Sequence, residues 1–376
     1  METIVLNPDA SRPAIPNIRF WNNRTVLITG HTGFKGGWLA VLLHSLGAKV
    51  FGLALPPDSS ESLYEVASIN SVLVESIFED IRNRQETRAA IERVQPEIVF
   101  HLAAQPLVGE AFHSPVETCE TNIIGSVNVL DAIRYTPSVI AVVVVTTDKV
   151  YLDSPSPRAY RETDQLGGHE LYSASKACAE HLSAAYFHAF FGSRSVRPNP
   201  IGLATARAGN VFGGGDWAHD RLIPDCVRAA SRKMPLSVRN PTHVRPWQHV
   251  LNPLMGYVLL AEKLVDSPEV HGSAFNFGPS LEENITVVEF LERLQSVFPI
   301  NWEIDPSPKP VKETAELRLD SSKAKQVLGW APLNLDHGIA LFAQWTLAYM
   351  RGSTMLEVTQ QQAQDYLDLL SNGVQR

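Results

Sequence analysis

The stretch Ala141-Val-Val-Val-Val-Thr-Thr-Asp-Lys-Val-Tyr151 constrains the fold more than any other, because an unbroken β-branched run stops abruptly at hydroxyl, carboxyl and ammonium groups. A continuous valine run is what a parallel strand covered on both faces requires, and in open α/β sheets ligands sit outside the carboxyl ends of such strands. Thr146, Thr147, Asp148 and Lys149 are therefore expected to face a cleft. Further along, Tyr172-Ser-Ala-Ser-Lys176 places a phenol and an ammonium on one face of a helix, where they can share a proton task. Taken singly, either pattern occurs in surface turns and helices. Together, in this order and after a glycine-rich turn, they point to catalysis.

At 376 residues the chain exceeds the ~250–300 that one core holds, so two domains are expected. A net charge of −8 argues against nucleic-acid or anionic-membrane partners, and no run of about 18 apolar residues could span a bilayer. The first residues lack a basic start followed by an apolar segment, so no signal peptide is expected. Cys119, Cys178 and Cys226 are scattered without metal-like spacing and read as small packing groups in a reducing compartment. The expectation is a cytoplasmic protein without a metal.

Residues 1–19 read as an irregular arm with Pro8, Pro13 and Pro16, after which the strand Thr25–Thr29 runs into Gly30-His-Thr-Gly-Phe-Lys-Gly36. Gly30 permits a sharp turn, Gly33 lets backbone approach a diphosphate, and Gly36 allows close packing of a helix over 37–46 whose amino end attracts anions. Strand, glycine turn, helix and the strand Lys49–Leu53 make a Rossmann unit. No acidic residue closes that second strand; Leu55-Pro56-Pro57 follows and Asp58 comes late, while Lys35 could sit near a 2′-phosphate. The residues alone leave NAD and NADP both open.

The alternation continues through Asp80-Ile81, a helix over 84–94, the strand Ile98–Leu102, a helix over 116–134 and the strand Ile140–Thr146. It predicts a doubly wound parallel sheet. After a loop at Ser154-Pro-Ser-Pro157 comes a long helix over 171–191, with Leu182, Tyr186 and Phe190 available to the core or to a second subunit. Beyond Ser193 the rhythm fails, and Arg207-Ala-Gly-Asn210 leads into a glycine-rich loop ending at Asp216-Trp217. Arg221, Arg239 and Arg245 are single basic residues among apolar and turn residues, as a diphosphate ligand would want. Phe275–Gly278 reads as a strand returning to the first sheet, and helical patterns at 287–297 and 322–328 follow. The two domains are thus interleaved: 20–203 with 244–280, and 204–243 with 281–350, followed by a helix-forming tail over 351–376.

In order, the glycine turn, Asp80-Ile81, His101-Leu-Ala-Ala104, Thr121-Asn122, Thr147-Asp148, Tyr172-x-x-x-Lys176 and Arg207-Ala-Gly-Asn210 resemble the extended short-chain dehydrogenase/reductases across almost the whole chain. More narrowly, Ala104-Gln-Pro-Leu-Val108, Thr147-Asp-Lys149, Gly213-Gly-Gly-Asp-Trp-Ala218, Asp220-Arg-Leu-Ile-Pro-Asp225 and Val244-Arg-Pro-Trp-Gln-His-Val250 resemble the CDP-glucose 4,6-dehydratases. The resemblance implies a Rossmann domain with a smaller sugar-nucleotide domain, and NAD retained through the cycle. It implies cofactor contacts at Gly30, Thr32, Gly33, Phe34, Lys35, Gly36, Asp80, Ile81, Leu102, Ala103, Ala104, Gln105, Asn122 and Thr146, besides Tyr172 and Lys176. Asn210, Trp217, Arg221, Leu222, Val238, Arg239 and Arg245 would hold a nucleotide sugar such as CDP-glucose. A homodimer or homotetramer through the helix of Tyr172 and Lys176 is also implied.

On this reading Tyr172, its pKa lowered by Lys176 and the nicotinamide charge, removes the C4 hydroxyl proton as hydride passes to NAD. Asp148 then protonates the departing C6 hydroxyl, a role that requires it to carry a proton, and Thr147 completes the site. Related dehydratases carry glutamate where Lys149 stands. Lys149 is either the C5 base, if desolvation and nearby positive charge favour its neutral form, or a cation that stabilises the enolate. The rivals are a 4-epimerase or decarboxylase of the same fold, which needs no acid–base pair beside Thr147, and a catalytically silent NAD(H)-binding regulator.

Overall fold

Seven short apolar segments pair into one sheet in the computed structural model, which describes residues 13–153, 158–192, 200–219, 221–305 and 317–371. They are β1 (Thr25–Thr29), β2 (Lys49–Ala54), β3 (Glu75–Phe78), β4 (Ile98–His101), β5 (Ala141–Val145), β6 (Gly202–Ala208) and β7 (Ser273–Phe277). Their order is β7-β6-β5-β4-β1-β2-β3, and every pairing is parallel. The strand order reverses between β1 and β4, so a crevice opens beyond their carboxyl ends. Period-two alternation explains the valine run. Val143 and Val145 join one core with Ile28, whereas Val142 and Val144 join the opposite core with Leu27 and Val99.

The helices that matter for the site are α1 (Phe34–Ser45), α2 (Arg84–Val94), α3 (Ser126–Arg134), α4 (Leu171–Tyr186), α5 (Leu222–Arg232), α6 (Leu251–Asp266), α7 (Leu335–Met350) and α8 (Met355–Ser371). α1, α6 and α8 cover one face of the sheet, and α2 and α3 the other. The helix expected over 116–134 is interrupted by a π-helical turn, Glu120–Gly125, and α4 likewise ends in one, Phe187–Phe191. Such turns re-aim a side chain without ending a helix. Here the first presents Asn122 to the turn after β4.

A smaller core of Phe212, Ile223, Val238, Trp247, Phe290 and Phe342 forms beside the sheet. Short strand pairs brace it: Leu236–Val238 with Trp302–Ile304, Val244–Arg245 with Ile285–Thr286, and Val211–Phe212 with Gln248–His249. β6 extends the main sheet to Ala208, pairing with β5 as far as Ala206 and with β7 as far as Ala208. Val244–Arg245 and Gln248–His249 pair in the small sheets, and α6 follows against the main one. α7 belongs to both cores, through Phe342 on one face and Trp345 on another. The tail is a packed element: Thr359 of α8 accepts the Trp345 indole at 2.9 Å, and Tyr366 bonds Asn252 at 2.9 Å. Pro8, the 154–157 loop and Asp220 lie outside the described residues.

Candidate active site

The turn after β1 is shaped by close backbone approach. Gly30 has φ +82°, and a Cβ there would lie 2.8 Å from the Ala103 amide, while one at Gly36 would lie 2.1 Å from the Gly30 carbonyl. Only glycine lets β1, the turn after β4 and the first turn of α1 meet so tightly. α1 begins at Gly33 with no side chain capping its first amides. A Cβ at Gly33 would meet only the Gly30 carbonyl, at 3.4 Å, so these amides open toward the crevice. This is the cradle a dinucleotide's diphosphate needs, and the residues present fit one.

Around it, the Thr32 hydroxyl donates to the Leu55 carbonyl at 3.0 Å, tying the end of β2 to the glycine turn. Asn122 accepts from the Gln105 amide at 2.8 Å and donates to the Gln105 carbonyl and to Ser175 of α4. The turn carrying Leu102, Ala103, Ala104 and Gln105 is thereby locked to the catalytic helix. Asp80 is engaged by Arg82 through its backbone and guanidinium, and Ile81 is buried.

At the end of β5 the expected cluster comes together. The Thr147 hydroxyl donates to Asp148 Oδ1 at 3.0 Å, and Lys149 Nζ lies 3.5 Å from the same oxygen. Asp148 Oδ2 is buried and has no partner among the described residues. Tyr172 hydrogen-bonds Thr147, and Lys176, one turn on, donates to the Val145 carbonyl at 2.9 Å. Burial pushes the Tyr172 phenol up to about 12, against the pull of the Thr147 hydrogen bond and the Arg221 charge. Among the groups of the chain itself, burial outweighs the nearby dipole and charge. Burial also brings Lys176 down to about 8, opposed by Glu180.

Thr146 turns beneath the strand and donates to Glu180. Glu180 went unassigned in the sequence, although its spacing of one further turn from Tyr172 and Lys176 puts it on their helix face. Burial disfavours its charge, but hydrogen bonds and charge from Arg207, with Thr146 and Thr205, hold its carboxyl below the usual range. Lys35, half-buried in the first turn of α1, feels the charges of Arg221, Asp148, Lys176 and Lys149. Burial and then Arg221 bring it down to about 7, with Asp148 opposing. Phe34 beside it faces the glycine loop, close to Gly213.

Arg221 pairs with Asp216 at 3.2 Å over this cluster, and Trp217 packs on Tyr349 with its indole N–H buried and unpartnered among the described residues. Asn210 is half-buried, its carbonyl accepting the Gln248 amide at 3.1 Å. Leu222 lies against the small core, and Val238 is buried inside it, so the Val238 side chain braces the lobe. Arg239 next to it is exposed, and Arg245 is held by the Val244 carbonyl and His243.

The parallel sheet with its reversal point, the glycine cradle, and a tyrosine and lysine facing a Thr-Asp-Lys strand end define a Rossmann-type enzyme of the short-chain dehydrogenase/reductase class. The sequence profile of the GDP-mannose 4,6 dehydratase family matches residues 27–340. A CDP-glucose 4,6-dehydratase of Salmonella typhimurium is 40% identical over 351 residues, covering 93% of this chain and 97% of that protein. The fold is shared with a UDP-glucose-4-epimerase of Stenotrophomonas maltophila (TM-score 0.74, 22% identity, 88% of this chain and 100% of that one). It is shared too with a dTDP-glucose 4,6-dehydratase of Bacillus anthracis (TM-score 0.71, 21% identity, 89% and 99%). The chain belongs to the GDP-mannose 4,6 dehydratase family.

Proposed function

We propose that this chain is an NAD-dependent CDP-glucose 4,6-dehydratase, converting CDP-D-glucose to CDP-4-keto-6-deoxy-D-glucose and water in cytoplasmic deoxysugar biosynthesis. The observation that carries this reading is the Asp148–Lys149 pair, 3.5 Å apart beside Thr147 and Tyr172. An epimerase of this fold needs Tyr172 and Lys176 but has no use for that pair, and a silent regulator leaves all five residues without a purpose. The Salmonella typhimurium relative supports the choice of sugar nucleotide, and NAD complexes among proteins of this fold support the cofactor.

NAD, when bound, supplies the hydride acceptor at C4 and the donor at C6. Tyr172, as the phenolate that the Lys176 ammonium and the nicotinamide charge would favour, takes the C4 hydroxyl proton, steadied by Thr147. The resulting 4-ketone acidifies the C5 proton, which Lys149 removes or whose enolate it stabilises. Asp148 Oδ2, unlike Oδ1 free of intramolecular donors among the described residues, is the oxygen that hands a proton to the departing C6 hydroxyl. Arg221, Arg239 and Arg245 serve the diphosphate, with Asn210, Trp217, Leu222 and Val238 shaping the nucleotide-sugar pocket.

In this proposal the large domain closes on the small one around the sugar, with α6 and β7 assigned to the large domain. A homodimer through the α4 layer is supported by Phe112 and Val116, 71% and 70% exposed on short helices packed against it. Among the described residues no helix is long and apolar enough to cross a membrane. Steady-state kinetics with CDP-, UDP- and dTDP-glucose, reading the alkaline ultraviolet absorbance of the 4-keto sugar, test the assignment. CDP-glucose should be preferred. A clear preference for dTDP-glucose, or no 4-keto product, overturns it.

A further inference from the structure

One buried hydroxyl with no assigned role reaches the same site from beneath the sheet. Tyr257, on α6, is fully buried and packs edge-to-face on Phe277 with centroids 5.5 Å apart. Its helix lies against β5 and β6, where Val143, Val145 and Ala206 share its core. The Tyr257 hydroxyl has no hydrogen-bond partner among the described residues. Phenylalanine would fill the same space without burying an unpaired polar group, so packing does not account for it.

The ionisable groups that act on Tyr257 are Tyr172 and Asp148, both in the cluster at the end of β5. Asp148 Oδ1 is engaged by Thr147 and Lys149, whereas Oδ2 is buried and unpartnered among the described residues. A buried donor lacking an acceptor and a buried carboxylate oxygen lacking a donor thus sit on parts of the chain that pack together, α6 and the strand β5 that leads into Asp148. Burial, and after it the Tyr172 and Asp148 charges, push the ionisation of Tyr257 far above the ordinary tyrosine range. It therefore stays a neutral donor throughout the working pH range.

We propose that Tyr257 is a positioning residue for Asp148, its hydroxyl donating, directly or through one water, to the Oδ2 left bare when Asp148 protonates the departing C6 hydroxyl. The inference rests on the dehydratase reading and deepens it. The proton passes from Asp148 Oδ2 to the C6 oxygen, the C6–O bond breaks and water leaves. The Tyr257 O–H bond stays intact throughout, and the hydroxyl only turns its hydrogen toward the new carboxylate.

The test is Tyr257→Phe in the full-length holoenzyme with CDP-glucose. C4 oxidation in a single turnover, read from reduced-cofactor absorbance, and KM should stay within about twofold of wild type, while elimination and kcat fall about tenfold, the weight of one hydrogen bond on a barrier. The melting temperature should hold or rise, since an unpaired hydroxyl has been removed from the core. In an Asp148→Asn background the same substitution should change elimination by less than about twofold, because Tyr257 acts through the carboxylate. Unchanged elimination in Tyr257→Phe overturns the proposal. So does equal slowing of oxidation and elimination with a lower melting temperature, or a tenfold effect that persists in Asp148→Asn. A wild-type protein that forms no 4-keto sugar sinks the dehydratase reading and this proposal with it, whereas normal turnover with an indifferent Tyr257→Phe sinks this proposal alone.

Discussion

Arg207 grips Glu180 with two hydrogen bonds, Nε to Oε1 at 2.9 Å and Nη2 to Oε2 at 2.8 Å, directly beneath the strand end that carries Thr147 and Asp148. Thr146 and Thr205 donate to the same carboxylate, and Arg207 reaches on to Tyr151, which in turn donates to Asn276. β5, β6, β7 and α4 are thus bound by one buried polar network. Both charges are nearly inaccessible, with side chains 4% exposed, so neither can be left alone cheaply.

Arg207→Met should therefore destabilise the protein by about 3–5 kcal/mol, since Glu180 would remain as an uncompensated buried charge. The double variant Glu180→Leu/Arg207→Met should recover most of that loss. Urea unfolding monitored by circular dichroism measures both. A single-variant cost under about 1 kcal/mol would mean that the network carries little of the fold.

Tyr172→Phe tests the other end of α4. The phenol is buried with its hydroxyl toward Thr147, so the substitution keeps the shape of the site while removing the proton acceptor. Turnover should drop by at least ~10²-fold while nucleotide-sugar binding persists. Calorimetric titration beside a product assay separates the two, and near-normal turnover would refute the assignment.

These sites were unequally legible in the sequence. The valine run, the glycine turn and the Tyr172–Lys176 spacing are local patterns, and local geometry alone fixes where they lie: β5 is wholly buried, Gly30 has positive φ, and α4 carries both side chains one turn apart. Lys35 was harder. Its position follows from the glycine turn, but the direction of its side chain depends on where Arg221 and Asp148 lie in the folded chain, far off in sequence. Val238 is named only through the resemblance; its strand alternates, and its side chain takes the inward side of the small lobe. The π-helical turn at Asn122 has no sequence signature; it arises where Asn122 must meet both Gln105 and Ser175.

Acid should weaken the fold before it damages the chemistry. His31, His101 and His249 are buried, and burial brings them down to about 4, 3 and 3. An unfolded chain takes up protons on these groups below its histidine value of about 6.5, while the folded chain refuses them, so stability is lost as pH falls through that window. Each contributes on the order of 1 kcal/mol per pH unit there. Glu262 has the opposite sign: burial raises it to about 7, so its contribution declines as pH rises from the ordinary glutamate value toward 7. Glu162, also raised by burial, acts in the same sense, and three groups against two leave a net fall on acidification. Melting temperature should decrease between pH 6.5 and 4.5, and His249→Phe should flatten the slope. A higher melting temperature at pH 5 than at pH 7 would contradict this.

The last prediction concerns Lys149, which stands where related dehydratases carry a carboxylate. Its ammonium lies 3.5 Å from Asp148 Oδ1 with the side chain 36% exposed, so it can turn from the aspartate toward a sugar in the cleft without unpacking the core. If neutral Lys149 abstracts the C5 proton, Lys149→Met should still permit C4 oxidation, and the reduced cofactor should build up in a single turnover while elimination stalls. Solvent deuterium should then fail to enter C5 of the 4-keto hexose, because exchange there needs the same base. If Lys149 instead stabilises the enolate as a cation, the variant should slow elimination by about 10–10²-fold yet retain C5 exchange through another base. Mass spectrometry and proton NMR of the trapped sugar in deuterium oxide distinguish the two. Persistent C5 exchange in Lys149→Met would remove lysine as the base and pass the role to Asp148 or to a water it holds.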